Sequence, residues 1–172
     1  ASLTEVLEDW IFKLVLPNYR VAEIGSGGGR VAARVASRVQ HLACFDVSAE
    51  MLRAAEKHMS DVPNVSFTKV SGDADYPVKD DASFDFVYSF DVFVHMDLHQ
   101  MRRTLGSIYK LLRPGGCCFV SFANLLAPKG WRRFARQRHY TVGGFYFVSP
   151  DIVKFLLAKC GFTIRQLSTP RT

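Results

Sequence analysis

The sequence lacks the features of a membrane-spanning or exported protein. In its 172 residues no apolar run approaches the ~20 residues that a membrane helix needs, and the N-terminus has no basic segment followed by an apolar one and a small-residue site. The four cysteines form no CxxC pair, and no group of His, Cys and acidic side chains has metal-ligand spacing. These absences predict a cytoplasmic chain with reduced thiols, no membrane span and no metal.

Negative charge is missing from one long stretch. Between Asp97 and Asp151 there is no acidic residue, while nine of the 22 basic residues lie there. The other 13 bases are outnumbered by the 16 acids, so the net charge of +6 belongs to this region alone. Such an asymmetry predicts an anionic partner, and the alternative is a solvated basic face.

Apolar runs of strand length alternate with helical patterns through the chain. With 48% hydrophobic and 22% charged residues, the composition indicates one globular domain over residues 1–172. Amphipathic spacing predicts an N-terminal helix over 3–14 that Pro17 closes, so residues 1–17 form an N-terminal helical segment. Further helices are predicted at 28–39, 48–59 (with Ser48 as N-cap), 97–112 and 149–160 (with Ser149 as N-cap and Pro150 as first residue).

The strands are predicted at 19–24, 41–46, 65–70, 84–89, 116–122 and 162–167. Because they are apolar almost throughout, they indicate a parallel sheet with helices on both faces, a doubly wound α/β fold. The turn RPGG (113–116) is predicted to end one helix and begin a strand. Residues 123–148 form the one long connection without clear periodicity, and they are the centre of the basic region.

A glycine-rich turn follows the first predicted strand, in VAEIGSGGGRVAARVA (21–36). Such glycines let the chain turn sharply and let a ligand approach the backbone. A G-x-G-x-x-G dinucleotide motif from Gly25 would need glycine at Arg30, whereas E-x-G-x-G-x-G fits from Glu23. An acid at that position would repel a pyrophosphate and suits a ligand with an ammonium group.

Four segments resemble, in the expected order, the motifs of class I S-adenosylmethionine-dependent methyltransferases. They are the glycine turn, CFDVSAEML (44–52), SGDADYPVKDDASFDFVYS (71–89) and LLRPGGCCFVSF (111–122). The third resembles the ubiquinone-biosynthesis-like branch, methyltransferase type 11. The resemblance covers about residues 19–165 and implies a Rossmann-like fold, S-adenosyl-L-methionine as cofactor and methyl transfer.

The resemblance also implies a set of cofactor-binding residues. Asp46 would accept hydrogen bonds from the ribose hydroxyls, Met51 would lie against the adenine, and Asp73 and the backbone amide of Ala74 would face the adenine amine. The alternatives are a helix cap for Asp46 and an ordinary turn for Asp73, while Asp85 is expected to be structural. The complete predicted set is Glu23, Gly25, Ser26, Gly27, Gly29, Asp46, Val47, Met51, Asp73, Ala74 and Phe90.

Acceptor-side residues are expected after the fourth strand and in the basic connection. His95 is the candidate general base, against a structural role near the start of the 97–112 helix. Asp91 and Tyr140 are candidate substrate residues, and 123–148 is expected to be a basic lid. If GWRRFARQR is helical, Arg132 and Arg136 share a face suited to carboxylate or phosphate, as do Arg133 and Gln137 beside them.

Three functions are compatible with these residues. The leading one is methyl transfer to a small molecule, anionic or tethered to a carrier domain. The NPPY-type tetrapeptide of base-modifying enzymes is absent, yet nucleic acid stays an alternative acceptor. The third is a non-catalytic cofactor-binding module of a larger protein. The family fold usually has a seventh strand, but the chain stops just after the sixth, so we expect six strands, with the seventh either absent or lost with the C-terminus.

Overall fold

The computed structural model describes residues 2–74, 76–77, 83–139, 141 and 143–168. Within these ranges no helix is long and apolar enough to cross a membrane. Contacts divide the chain into two compact units. The first unit holds residues 1–90 and 110–120, and the second holds 91–109 and 121–172.

The first unit is built on a five-stranded parallel sheet. Its strands are β1 (Arg20–Ile24), β2 (His41–Asp46), β3 (Val65–Lys69), β4 (Phe84–Ser89) and β5 (Leu112–Val120). Their order is β3-β2-β1-β4-β5, so the order reverses between β1 and β4. In open sheets of this kind, ligands bind beyond the carboxyl ends of the strands at that reversal. The predicted Rossmann-like parallel fold is confirmed.

Helices of the first unit are shorter than the sequence predicts. The N-terminal helix consists of α1 (Leu3–Val6) and a π-helix (Leu7–Ile11), and it ends three residues before the predicted end. The second helix is α2 (Ala32–Val35) with a 3₁₀ turn (Ala36–Arg38), and it begins four residues late because the glycine turn occupies the predicted start. The third, α3 (Ala49–His58), is capped by the Ser48 hydroxyl, as predicted.

Strand β5 begins at Leu112, the last residue of the predicted helix, and includes the whole RPGG segment that the sequence predicts to be a turn. Phe84 pairs with Leu112 and Phe86 pairs with Cys117, so the four residues 113–116 lie opposite the single residue Asp85. This RPGG bulge lengthens β5 at its amino end without changing the register that follows. The Asp85 carboxylate forms an ion pair with Arg113 and accepts a hydrogen bond from the backbone N–H of Arg20 at 2.7 Å.

Within its described residues, the second unit contains three α-helices, a 3₁₀ turn and two very short strands. A 3₁₀ turn (Phe93–His95) precedes α4 (Leu98–Leu111), whose last two residues belong to the first unit. Strands β6 (Ala123–Asn124) and β7 (Phe147–Val148) are parallel and enclose α5 (Pro128–Arg136) in the chain order. Helix α6 (Pro150–Lys159) has Ser149 as N-cap and Pro150 as first residue, as predicted. The 123–148 connection therefore has regular structure that its sequence periodicity did not reveal.

The predicted sixth strand is wrong. Residues 162–168 have no regular secondary structure, and the sheet has five strands within the described residues rather than six. Ile164 is 38% exposed and Leu167 is 45% exposed, so the apolar residues that suggested a strand are not covered. An apolar pattern is not sufficient for a strand, because strand formation depends on packing against neighbouring residues.

Replacing Asp85 tests whether it fastens the amino ends of the strands. Asp85→Ala removes an acceptor from a backbone N–H and from a guanidinium, so we expect the free energy of unfolding to fall by roughly 1.5–3 kcal/mol. Urea unfolding measures this, with Asp61→Ala at an exposed carboxylate as the control. Equal stability of the two variants would contradict the structural role.

Candidate functional site

The glycine turn leaves β1 through three residues with left-handed backbone. Gly25, Gly27 and Gly29 have φ values of +75°, +52° and +80°, which other residues rarely adopt. At Gly29 a Cβ atom would also lie 2.6 Å from the Met59 methyl group. The backbone N–H groups of Gly25 and Ser26 both donate to the Phe45 carbonyl, at 2.7 and 3.1 Å. The turn is therefore fixed against the end of β2.

Asp46, the last residue of β2, fastens this turn to the start of α3. Its Oδ2 accepts the N–H of Gly27 at 2.7 Å, and its Oδ1 accepts the N–H of Ser48 at 2.8 Å. The helix cap is Ser48, whose hydroxyl accepts the N–H of Met51, so Asp46 is not the N-cap. Each carboxylate oxygen retains a second acceptor position, and the side chain is half-buried.

A polar ligand has a further partner beside the turn. The hydroxyl of Ser26 is buried and makes no hydrogen bond within the described residues. A buried hydroxyl without a partner carries a free-energy penalty that a ligand oxygen or nitrogen would remove. The methyl group of Met51 lies over Gly27 and Gly28, 3.5 and 3.7 Å from the positions that their Cβ atoms would occupy. These residues fit the nucleoside expected from the sequence.

Glu23 lies behind the turn rather than on its surface. It stands in β1 between Cys44 and Tyr88, and the Tyr88 hydroxyl donates to its Oε2 at 2.9 Å. Burial, the largest cause, raises the pKa of Glu23 to about 8. Next to it, the Ser89 hydroxyl donates to the Ile24 carbonyl and joins the carboxyl ends of β1 and β4.

The other predicted cofactor residues occupy different environments in the first unit. Asp73 and Val47 are exposed, whereas Ala74 is buried with a φ of +61°. Phe90 is half-buried and packs against the core. A left-handed alanine costs free energy and is found where the backbone serves a purpose, so Ala74 agrees in conformation with a backbone role.

In the second unit, His95 and Asp91 lie on the segment before α4. The Nδ1 atom of His95 is 3.1 Å from the carbonyl oxygen of Gly144, and its ring meets the Phe145 ring edge-on at 5.5 Å. Asp91 is exposed with a φ of +62°, and its N–H donates to the Ser121 hydroxyl at 3.0 Å.

Helix α5 presents a basic face. Arg132 and Arg136 lie on that face, as predicted for a helical segment, and both are exposed. Arg133 turns to the Phe145 ring, with its guanidinium carbon 3.6 Å from the ring centroid. The basic face lines an open depression and consists of Lys129, Arg132, Arg133 and Arg136. None of the four forms an ion pair with a described residue. Tyr140, the remaining predicted substrate residue, lies outside the described residues.

A family comparison matches more than half of the chain. The profile described as "Methyltransferase domain" matches residues 21–116, which contain the glycine turn, Asp46 and the RPGG bulge. The chain belongs to this methyltransferase family. The prediction from the sequence motifs, a class I S-adenosylmethionine-dependent methyltransferase of the ubiquinone-biosynthesis-like branch, is confirmed.

Relatives of this methyltransferase domain include enzymes with two kinds of acceptor. It is 25% identical to phosphoethanolamine N-methyltransferase 1 of Triticum aestivum over 77% of this chain and 27% of that protein. It is 27% identical to the ubiquinone biosynthesis O-methyltransferase of Xylella fastidiosa (strain 9a5c) over 72% of this chain and 50% of that protein. The chain thus spans between about a quarter and a half of these two proteins.

A solved structure has the same fold. It is a Haemonchus contortus phosphoethanolamine N-methyltransferase 2 in complex with phosphomonomethylethanolamine and S-adenosylhomocysteine, with a TM-score of 0.70 and 23% identity. The match covers 93% of this chain and 36% of that one. S-adenosylmethionine is the cofactor of this family, in agreement with the sequence-based expectation.

Several residues of the methyltransferase domain were not predicted as functional. Tyr88, Ser89 and Phe145 carry no motif of their own, because their roles depend on which strand or loop lies beside them. Gln137 was noted only as sharing a helical face with Arg133, and that face is the one that meets Phe145. Among the described residues no group of three or more His, Cys, Asp or Glu side chains could hold a metal ion.

The raised pKa of Glu23 predicts a pH dependence of stability. The folded chain keeps this proton up to about pH 8, whereas the unfolded chain releases it near the ordinary value of 4.5. Between these values the unfolded state binds fewer protons, so rising pH favours unfolding by up to about 1.4 kcal/mol per pH unit from this group.

Comparison with Glu23→Gln isolates the contribution of that group. As the pH rises from 5 to 8, we expect the free energy of unfolding of the wild type to fall relative to that of the variant. Urea unfolding at pH 5, 6, 7 and 8 measures the difference between them. A constant difference across this range would show that Glu23 does not keep its proton in the folded chain.

Proposed function

We propose that this chain transfers a methyl group from S-adenosylmethionine to a small acceptor that carries negative charge, either free or attached to an acidic carrier domain. The basic face of α5 is the observation that supports a negatively charged acceptor. Four cations share one side of a nine-residue helix without ion-pair partners among the described residues. Guanidinium groups in this arrangement suit carboxylate or phosphate.

The cofactor would be held by the turn after β1 and by the end of β2. Asp46 would accept the ribose hydroxyls, Met51 would cover the adenine, and Ser26 would gain the partner that its buried hydroxyl lacks. Asp73 and the N–H of Ala74 would face the adenine amine. When bound, S-adenosylmethionine supplies a methyl group on a positively charged sulfur, and S-adenosylhomocysteine is the product that leaves when the acceptor takes the methyl group.

Glu23 has a role in this proposal that depends on its ionisation. The ammonium group of the cofactor would lower the pKa of the Glu23 carboxyl beside it, since an opposite charge favours the ionised form. The residue would then lose the proton that burial lets it keep in the free protein. Its hydrogen bond from Tyr88 is compatible with both forms because the hydroxyl donates.

The acceptors named for the relatives suggest that the reaction uses a general base. Phosphoethanolamine presents an amine, and an O-methyltransferase modifies an oxygen. A protonated amine or a hydroxyl must lose a proton before or during attack on the methyl group. We assign that step to His95, with Asp91 as a residue that orients the acceptor. Phosphoethanolamine also carries the phosphate that the basic face would bind.

The cysteines support the predicted cytoplasmic location as part of this proposal. None of the four forms a disulfide bond, and Cys44 is fully buried in β2. Burial raises the pKa of Cys118 to about 12, so its reactive thiolate form is scarce. Reduced, unreactive thiols suit a reducing compartment.

Removing the Asp46 carboxylate tests the cofactor site. We expect Asp46→Ala to weaken S-adenosylhomocysteine binding by roughly 1.5–3 kcal/mol, about 10- to 150-fold in Kd, because hydrogen-bonded groups lose their partner. Isothermal calorimetry measures the Kd, with the exposed Glu50→Ala as the control and thermal unfolding as the check on folding. Wild-type affinity in Asp46→Ala would refute the ribose assignment.

Charge reversal on α5 tests the acceptor. Transfer of a labelled methyl group to phosphoethanolamine is measured for the wild type and for Arg132→Glu/Arg136→Glu. We expect the variant to have a KM at least tenfold higher and less dependent on salt, because exposed attraction is screened over ~10 Å at 0.1 M salt. Ethanolamine, which lacks the phosphate, should be turned over equally poorly by both proteins.

The matched control is Arg102→Glu/Arg103→Glu, which makes the same change of charge on α4, where both side chains are also exposed. If the two double variants behave alike, the basic face of α5 has no specific part in acceptor binding. Turnover on RNA alone, with a steep salt dependence, would replace the small-molecule acceptor by nucleic acid.

A further inference from the structure

The segment Gly144–Tyr146 is held by backbone hydrogen bonds on both sides of Phe145. The N–H of Gly144 donates to the Thr141 carbonyl at 2.7 Å, and the N–H of Tyr146 donates to the Val94 carbonyl at 2.6 Å. The second of these bonds joins the segment to the 3₁₀ turn that carries His95. The position of the segment therefore determines what His95 can contact.

Gln137 binds the centre of this segment. Its Oε1 accepts the N–H of Phe145 at 3.0 Å, and its Nε2 donates to the Phe145 carbonyl at 3.1 Å. Because a backbone N–H only donates and a carbonyl only accepts, these partners fix the orientation of the amide. Gln137 is itself the C-cap of α5, and its backbone N–H donates to the carbonyls of Arg133 and Phe134. The side chain thus pairs with Phe145 as a neighbouring strand would.

The same segment fixes the protonation pattern of His95. Its Nδ1 lies 3.1 Å from the Gly144 carbonyl, which can only accept, so the neutral ring carries its proton on Nδ1. The lone pair that takes a proton is then on Nε2. The Phe145 ring adds an edge-on contact to the imidazole on one side and stacks with the Arg133 guanidinium on the other.

We propose that Gln137 is a positioning residue for His95. Its amide holds Phe145, the held segment presents the Gly144 carbonyl to Nδ1, and the Nε2 atom of His95 is thereby kept as the proton acceptor. No motif indicates this role, which follows from five hydrogen bonds that meet in three consecutive residues. The inference rests on the proposed function in one respect, that His95 takes the proton of the acceptor.

The tautomer of His95 tests the positioning role without any acceptor. Two-bond ¹H–¹⁵N correlation spectra of the neutral ring distinguish a proton on Nδ1 from one on Nε2, with assignment by the loss of the signals in His95→Ala. We expect the Nδ1–H form in the wild type and a mixture of both forms in Gln137→Met, which keeps the length of the side chain but neither hydrogen bond. Gln137→Glu, which retains only the acceptor for the Phe145 N–H, should lie between them.

The control is Gln166→Met, the same change at an exposed glutamine in residues 162–168. S-adenosylhomocysteine affinity, which depends on residues of the first unit, should stay within about twofold in all variants, and thermal unfolding verifies that the whole chain is folded. An unchanged Nδ1–H form in both Gln137 variants would overturn the positioning role.

Turnover separates this inference from the proposed function. With phosphoethanolamine as the probe, we expect Gln137→Met to lower kcat about tenfold and to leave KM within about twofold, because a misplaced base costs rate rather than binding. An unchanged kcat together with an altered tautomer would overturn the catalytic purpose of the positioning. Full activity of His95→Ala would instead refute His95 as the base and leave the spectroscopic result standing.

Discussion

Two short hydrogen bonds to the carboxylate of Asp46 are the constraint on which the first unit depends. They join the glycine turn after β1 to the start of α3, at the point where the strand order reverses. A carboxylate is well suited to this task because it accepts several N–H donors at once and retains acceptor positions for a ligand. The same side chain therefore shapes the backbone of the cofactor site and offers it a polar partner.

A buried hydrogen bond of a different kind lies behind that turn. Glu23 and Tyr88 face each other across neighbouring strands, and burial favours the protonated carboxyl. In the second unit, four cations line one face of α5, and the Nδ1 atom of His95 lies beside the Gly144 carbonyl. In each unit a polar side chain that binds backbone groups, Asp46 in one and Gln137 in the other, determines the local geometry.

The sequence predicted the parts of the fold that repeat and missed the parts that depend on a neighbour. Four of the five strands of the sheet were placed almost to the residue, because buried parallel strands are apolar throughout and end in turn residues. Strand β5 begins earlier than predicted, since Leu112 pairs with Phe84 ahead of the RPGG bulge. The predicted sixth strand is wrong because strand propensity depends on the packing around a segment, which its apolar pattern does not contain.

In the candidate site, the spacing of residues in the sequence was sufficient to predict the positions of those parts that the local backbone forms. The glycine turn after β1, Asp46 at the end of β2 and the shared helical face of Arg132 and Arg136 lie where the sequence predicts them, while their binding roles stay predictions. The partners of Glu23 and His95 were not predictable, because Tyr88 lies 65 residues and Gly144 lies 49 residues along the chain from them. Such contacts depend on strand order and on loop packing, and neither can be read from residues that are neighbours in the sequence.

The RPGG bulge has a consequence for how this fold tolerates change in length. Four residues of β5 lie opposite one residue of β4, and regular pairing resumes at Cys117. The extra residues are confined between α4 and the paired part of β5, at the end of the sheet opposite the glycine turn. A residue gained or lost there alters the size of the bulge while the side chains from Cys117 to Val120 keep their faces of the sheet. The connection between α4 and β5 thus tolerates insertions and deletions, and homologous chains that differ in length there would keep the same sheet beyond it.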